Sequence, residues 1–161
     1  MKVLVAVQDN TCVESLSHFL LDYPLPEETY LKLITVISPL HIASFMNLVD
    51  DVQAVNIQDE KLKLGKRHLN KLAKILNVAL ATDHIEESIL EGDPRTAIHA
   101  VAEEWLPDLL VIGSHGKHGL ASLGSVSRDL VTNCECNVVV VPLLTPEEKK
   151  KRQNQLNHII V

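Results

Sequence analysis

The chain has 161 residues, 46% of them apolar but only 3% aromatic, and a formal net charge of −6. Those values describe one domain with an aliphatic core and argue against a binder that works by neutralising nucleic-acid phosphates. No apolar run reaches the length of a membrane span, the N-terminus lacks a signal-peptide layout, and three cysteines make a poor disulfide framework, so a soluble cytoplasmic protein is expected.

In chain order, Val3 to Val7 is a continuous apolar run that predicts a strand buried on both faces. Asp9, Asn10 and Thr11 each suit a helix cap, and Cys12, Leu16, Phe19 and Leu20 then recur at helical spacing until Pro24 and Pro26. Leu31 to Ile37 predicts a second strand. A helix is expected from about Asp59 to Asn77, where Leu62, Leu69, Leu72, Ala73 and Leu76 share a face and lysines take the others. His84 to Leu90 predicts a third strand. In the Gly92-Asp93-Pro94 turn, Asp93 can cap a helix that has Pro94 at its first position. That helix carries Ile98, Val101, Ala102 and Trp105 on one side.

The most informative stretch follows. Leu109 to Ile112 is an apolar strand that runs into Gly113, Gly116, Gly119 and Gly124, four of the chain's six glycines, and then into a helix from about Ser125 to Asn133. A helix start presents unpaired N–H groups and partial positive charge, so a glycine loop leading into it can cradle a phosphate. No Lys-Ser or Lys-Thr follows the glycines, so this is not a Walker-type loop. Asn137 to Val141 predicts the last strand.

Strand–helix alternation implies right-handed crossovers and a parallel sheet, read as a five-stranded, doubly wound α/β sheet with helices on both faces, for which the order 3-2-1-4-5 is taken. In such sheets a ligand sits beyond the carboxyl ends of the strands at the switch point, here between strands one and four. The loops meeting there are Gln8–Thr11 and Gly113–Ser125. The valine run before Pro142 is long and apolar for a sheet edge, and pairing with a second copy would satisfy it.

KVLVAV at the start, the Gly92–Pro94 turn, and GSHG…GSVS followed by NVVVVPL resemble, in that order, the universal stress protein family over roughly residues 1–143. The remaining residues, 144–161, form a polar tail. The resemblance implies an adenine-nucleotide alpha-hydrolase-like fold and a cytoplasmic homodimer through the last strand, Asn137, Val138, Val139, Val140 and Val141. It also implies a role in stress response and regulation more than in catalysis, with ATP or AMP, with or without Mg2+, as the ligand of some members and none in others. The net charge and the lack of an apolar span imply no nucleic-acid or membrane partner.

Carried over residue by residue, Ala6, Val7 and Gln8 flank base and ribose, and Val36 takes the position whose backbone pairs with the adenine edge. Ile112 and Gly113 approach ribose or phosphate, His115 and Gly116 border the phosphates, and Gly124, Ser125, Val126 and Ser127 open the last helix toward them. Plain helix capping is the other role open to Ser125 and Ser127, and Gly119 serves a turn.

Two departures stand out. Seven residues, Lys117 to Leu123, separate Gly116 from Gly124, against nine in the nucleotide-binding members; and Gln8 stands where those members usually place an aspartate. A nucleotide-free regulatory or scaffolding dimer, and a slow ATPase, are the alternative functions.

Other residues suggest less. His115 and His118 lack further ligands for zinc. Cys134 and Cys136, one residue apart, read as packing, as does Cys12 on its apolar stripe. Lys61, Lys63, Lys66, Lys71 and Lys74 read as a solvated helix face. In the tail, Thr145-Pro146-Glu147-Glu148 has the layout of a capped helix start, and the segment reads as a solvated helix or frayed end, with docking of Ile159, Ile160 and Val161 on an apolar patch as the alternative.

Overall fold

The computed structural model describes residues 1–39, 51–80, 84–114 and 123–143, together with the helical positions Glu147 and Lys150; in the helix that begins at residue 51, side chains are described from residue 56. The elements are β1 (Lys2–Ala6), α1 (Asn10–Asp22), β2 (Tyr30–Ile37), α2 (Asp51–Leu80), β3 (Ile85–Glu91), α3 (Pro94–Trp105), β4 (Leu109–Ser114), α4 (Ser125–Asn133) and β5 (Asn137–Pro142). All five strands pair in parallel in the order β3-β2-β1-β4-β5. The expected fold class and strand order are those observed.

Side-chain alternation along the strands divides the core in two. Val3, Val5 and Val7 of β1 and its continuation, with Leu109 and Val111 of β4, face α1 and α2. Leu4, Leu110 and Ile112 face the opposite way, toward α3 and α4. Leu16, Leu20, Leu69, Leu72 and Leu76 are fully buried on the first side, and Leu130 on the second. Each such side chain contributes roughly 1.5–3 kcal/mol relative to exposure.

The helix ends follow local chemistry. Asp9 caps α1 by accepting from the Cys12 N–H at 2.9 Å. Asp93 caps α3 by accepting from the Arg95 and Thr96 N–H groups at 3.1 and 3.2 Å, with Pro94 in the first turn. Gly92 has φ +138°, a conformation open only to glycine without strain. At the other end of α3, Leu106 adopts the left-handed region (φ 50°, ψ 65°) while 69% exposed.

The largest difference from the sequence expectation is α2, which starts at Asp51 and ends at Leu80 instead of spanning Asp59 to Asn77. Between Asp51 and Asp59 there is no glycine or proline to stop the helix, and the irregular apolar spacing hid its extension. Gly65 lies inside this helix because a Cβ there would stand 3.0 Å from Thr35 Cγ2 and 3.6 Å from Ile37 Cδ1. The small residue brings α2 down onto β2.

Candidate functional site

At the carboxyl ends of β1 and β4 the chain turns to opposite sides of the sheet: β1 leads to α1 on one face and β4 to α4 on the other. Adjacent strands whose connections diverge leave a crevice between them. A cavity of about 240 Å³ lies there. Its walls are mostly aliphatic: Ala6 and Val7 from the end of β1, Ile34 and Val36 from β2, Ile98 from α3, and Ile112 from β4. Gln8, Ser38 and Ser127 supply polar groups, with Cys12, Gly113, Pro94 and Val126 completing the lining. No carboxylate lines it among the described residues.

Ala6, Val7, Gln8, Val36, Ile112, Gly113, Val126 and Ser127 therefore come together around one cavity. Gly124 and Ser125 are not among the lining residues: Gly124 is the N-cap of α4 and Ser125 its first residue. His115 and Gly116 lie outside the described residues, as do His118, Gly119 and the terminal residues 151–161.

Sequence reasoning missed Cys12, Ile34, Ser38, Pro94 and Ile98. Ile34 was legible in principle, since it precedes Val36 by one strand period and so shares its face. Pro94 and Ile98 begin the helix after the glycine turn, whose return toward the switch point needs the tertiary fold.

The start of α4 differs chemically from those of α1 and α3. Both of those helices are capped by an aspartate, whereas Gly124 has no side chain to offer and α4 has no side-chain cap hydrogen bond. Ser125 and Ser127 sit inside the first turn and do not cap it. Ser127 is buried, and its hydroxyl points toward the Gly113 carbonyl at 3.5 Å, which links the helix start to the end of β4. Val126 and Ser127 of the first turn of α4 line the crevice, and a helix start carries unpaired N–H groups with the helix dipole behind them.

Other contacts shape the surroundings. Lys61 of α2 reaches the Ser38 carbonyl at 3.4 Å, bringing a cation beside one wall. Arg95, next to Pro94, pairs with Asp93 at 3.5 Å. Hydrogen bonds from the backbone of Thr96 hold the exposed Asp93 carboxyl below its ordinary value. His99 of α3 meets Asp129 of α4 at 3.0 Å and ties together the two helices behind the cavity.

Asp9, next to Gln8 in sequence, uses its carboxylate to cap α1, and β1 has already ended at Ala6. Burial pushes the Cys12 thiol up, so it lines the cavity as a neutral, apolar group. The missing Cβ of Gly113 faces α1: a methyl there would stand 3.0 Å from both Cys12 Sγ and Leu143 Cδ2.

β3 and β5 form the two edges of the sheet. β3 carries Glu86, Glu87 and Glu91, charges that discourage pairing, while β5 is four consecutive valines between Asn137 and Pro142. Val138, Val139 and Val140 are half-buried. Among the described residues no group of three or more His, Cys, Asp or Glu could hold a metal, and no helix is long and apolar enough to cross a membrane.

Residues 1–142 match the Universal stress protein family. Universal stress protein A homolog 2 of Coxiella burnetii is 30% identical over 102 residues, which span 63% of this chain and 67% of that protein. A universal stress protein of Methanocaldococcus jannaschii is 38% identical over 79 residues, 48% of this chain and 45% of the relative. Among solved structures, a universal stress protein in complex with cAMP superposes with a TM-score of 0.62 at 22% identity, covering 89% of this chain and 98% of that one. The Archaeoglobus fulgidus protein in complex with dAMP gives 0.61 at 19% identity, covering 88% and 97%. An Arabidopsis thaliana family protein with AMP bound gives 0.57 at 22% identity, covering 91% and 94%. At these identities the structural likeness is one of fold.

Proposed function

The chain belongs to the universal stress protein family, and we propose on that basis that its switch-point cavity binds an adenine nucleotide whose occupancy makes the protein a stress-response regulator or sensor. The observation that carries this reading is an aliphatic slot joined to a helix start that has no side-chain cap. An adenine ring suits the slot, because its faces are apolar and its edge needs only a few hydrogen-bonding groups. The phosphates suit the start of α4, where N–H groups and the helix dipole favour negative charge. Relatives of the same fold are described in complex with cAMP, dAMP and AMP.

ATP and AMP are both candidates. The cavity, at about 240 Å³, lies below the range of about 300–1,000 Å³ common for whole ligands. It suits base and sugar, with the phosphates at its mouth. The described lining offers no carboxylate to a divalent ion, so Mg2+ fits here only as a companion of the triphosphate. Residues 1–143 form the nucleotide-binding domain in this reading and residues 144–161 an appended tail. The protein acts in the cytoplasm as a homodimer, in which the uncharged β5 edge pairs with its copy.

A second reading, a nucleotide-free regulatory or scaffolding dimer, draws on Gln8 and the short interval between Gly116 and Gly124. One experiment separates the two. Protein as purified is denatured and its released small molecules are weighed by mass spectrometry; AMP and ATP are then titrated by calorimetry. Bound AMP or ATP, or a measurable Kd that tightens roughly tenfold in Gln8→Asp through a charge-assisted hydrogen bond, supports the nucleotide site. An empty protein with flat titrations in both forms leaves the nucleotide-free dimer.

A further inference from the structure

Two thiols outside the cavity face each other at the joint between α4 and β5. Cys134 ends α4, its N–H donating to the Leu130 carbonyl at 3.0 Å, and its extended backbone (φ −77°, ψ 137°) carries the chain out of the helix. The chain bends at Glu135 and Cys136, and Asn137 opens β5. Asn137 Nδ2 anchors that start by donating to the Asp108 carbonyl at 3.1 Å. This short turn folds both cysteine side chains against the aliphatic layer under α3 and α4, with their sulfur atoms 3.4 Å apart. Both cysteines are free and only half-buried, within reach of a small oxidant. The third thiol, Cys12, is 1% exposed and lies on the other side of the sheet.

We propose that Cys134 and Cys136 are a reversible dithiol–disulfide pair, closed by a hydroperoxide and reopened by a low-molecular-weight thiol. A disulfide sulfur pair stands about 2.05 Å apart, so closure needs rotation of two side chains already in contact. In the first step Cys134 gives up its proton and its thiolate attacks the terminal peroxide oxygen. The S–O bond forms, the O–O bond breaks, and the expelled alkoxide or hydroxide takes up that proton and departs as alcohol or water, leaving a sulfenic acid on Cys134. In the second, the Cys136 sulfur attacks that sulfur. The S–S bond forms, the S–O bond breaks, and the departing hydroxide takes up the Cys136 proton as water. Two thiols are oxidised by two electrons and one peroxide is reduced.

The division of roles follows from surroundings. Burial, and then the contact with Cys134, push the Cys136 thiol up to about 11. It keeps its proton and resolves the sulfenic acid instead of forming it. The closed bond locks the angle between the last turn of α4, whose first turn faces the cavity, and β5, the sheet edge.

Fully reduced protein is treated with one equivalent of hydrogen peroxide, and its intact mass and free thiols are followed. The expected product is a monomer lighter by about 2 Da with two thiols lost. Its bond lies within the tryptic peptide that begins at Asp129, and dithiothreitol restores the starting mass. Cys136→Ser should trap a sulfenic acid on Cys134 that reacts with dimedone, while Cys134→Ser leaves Cys136 unlabelled. Three thiols surviving excess peroxide, oxygen added to either cysteine of the wild type without the internal bond, or disulfides between chains would each overturn the proposal.

Discussion

Gly113 is the next-to-last residue of β4, where α1 and the segment after β5 close over it, and Gly113→Ala tests whether packing explains the glycine. The added Cβ would lie 3.0 Å from Cys12 Sγ, 3.0 Å from Leu143 Cδ2 and 3.4 Å from Leu143 Cδ1. Comfortable carbon contacts fall at about 3.5–4.0 Å, so the methyl intrudes on two sides at once. Neither neighbour yields easily. The Cys12 N–H is held by Asp9 at 2.9 Å, and the Leu143 N–H donates to the Ser114 carbonyl at 3.0 Å. Overpacking costs about 1–3 kcal/mol, and replacing glycine within a strand returns roughly 0.5–1 kcal/mol. The expected net loss is about 1–2 kcal/mol, read as a fall in Tm of about 2–8 °C for a domain of this size. Urea unfolding followed by the fluorescence of Trp105, the single tryptophan, measures it.

Adding Cys12→Ala removes the sulfur from the clash, so the double variant should be more stable than the sum of the single effects by about 1 kcal/mol. A Gly113→Ala protein as stable as its parent, or strictly additive effects, refutes the packing account. If AMP affinity collapsed in that variant while stability stayed unchanged, the glycine would serve ligand approach instead.

Four further outcomes are expected. Asp9→Ala removes the cap of α1 and should cost about 1 kcal/mol in the same urea assay. Leu106→Gly relieves a left-handed leucine that is 69% exposed, and should raise stability by about 1 kcal/mol. Burial holds His68 below its ordinary value of 6.5, with Lys71 and Arg67 adding to the effect and Asp9 opposing it. The folded state then binds fewer protons than the unfolded one, so the stability His68 contributes is full above 6.5 and is lost as pH falls through its folded value. His68→Gln should flatten that part of the stability–pH curve, and an unchanged slope would count against the assignment. Val138→Lys places a charge on the β5 edge and should convert the proposed dimer to monomer in sedimentation velocity; a dimer that persists would place the interface elsewhere.

The order of elements was legible because its signals are local. Apolar runs at Val3–Val7 and Leu109–Ile112, Asp93 before Pro94, and the four-valine run of β5 each specify a strand, a cap or an edge within a few residues. Alternation specified a parallel, doubly wound sheet but not its order, since 2-1-3-4-5 shows the same alternation; the order 3-2-1-4-5, and with it the switch point, is set by the pairing of β1 with β2 and β4. The family resemblance brought Ala6, Val36 and Ile112 toward one site, and strand period agrees, since all three turn to the face of α3 and α4.

Tertiary structure alone decided the rest. That Cys12 and Ile98, from helices on opposite faces, line the same cavity is a distance between residues remote in sequence, and no local periodicity encodes it. A glycine inside a helix has no local explanation, and Gly65 finds its own only in the sheet, where a Cβ would stand 3.0 Å from Thr35 Cγ2. The spacing of Cys134 and Cys136 carried no sign of their 3.4 Å approach, because only the bend between α4 and β5 sets the direction of both side chains. Sequence determines which backbone each segment prefers; the packing of the layers determines which side chains then meet.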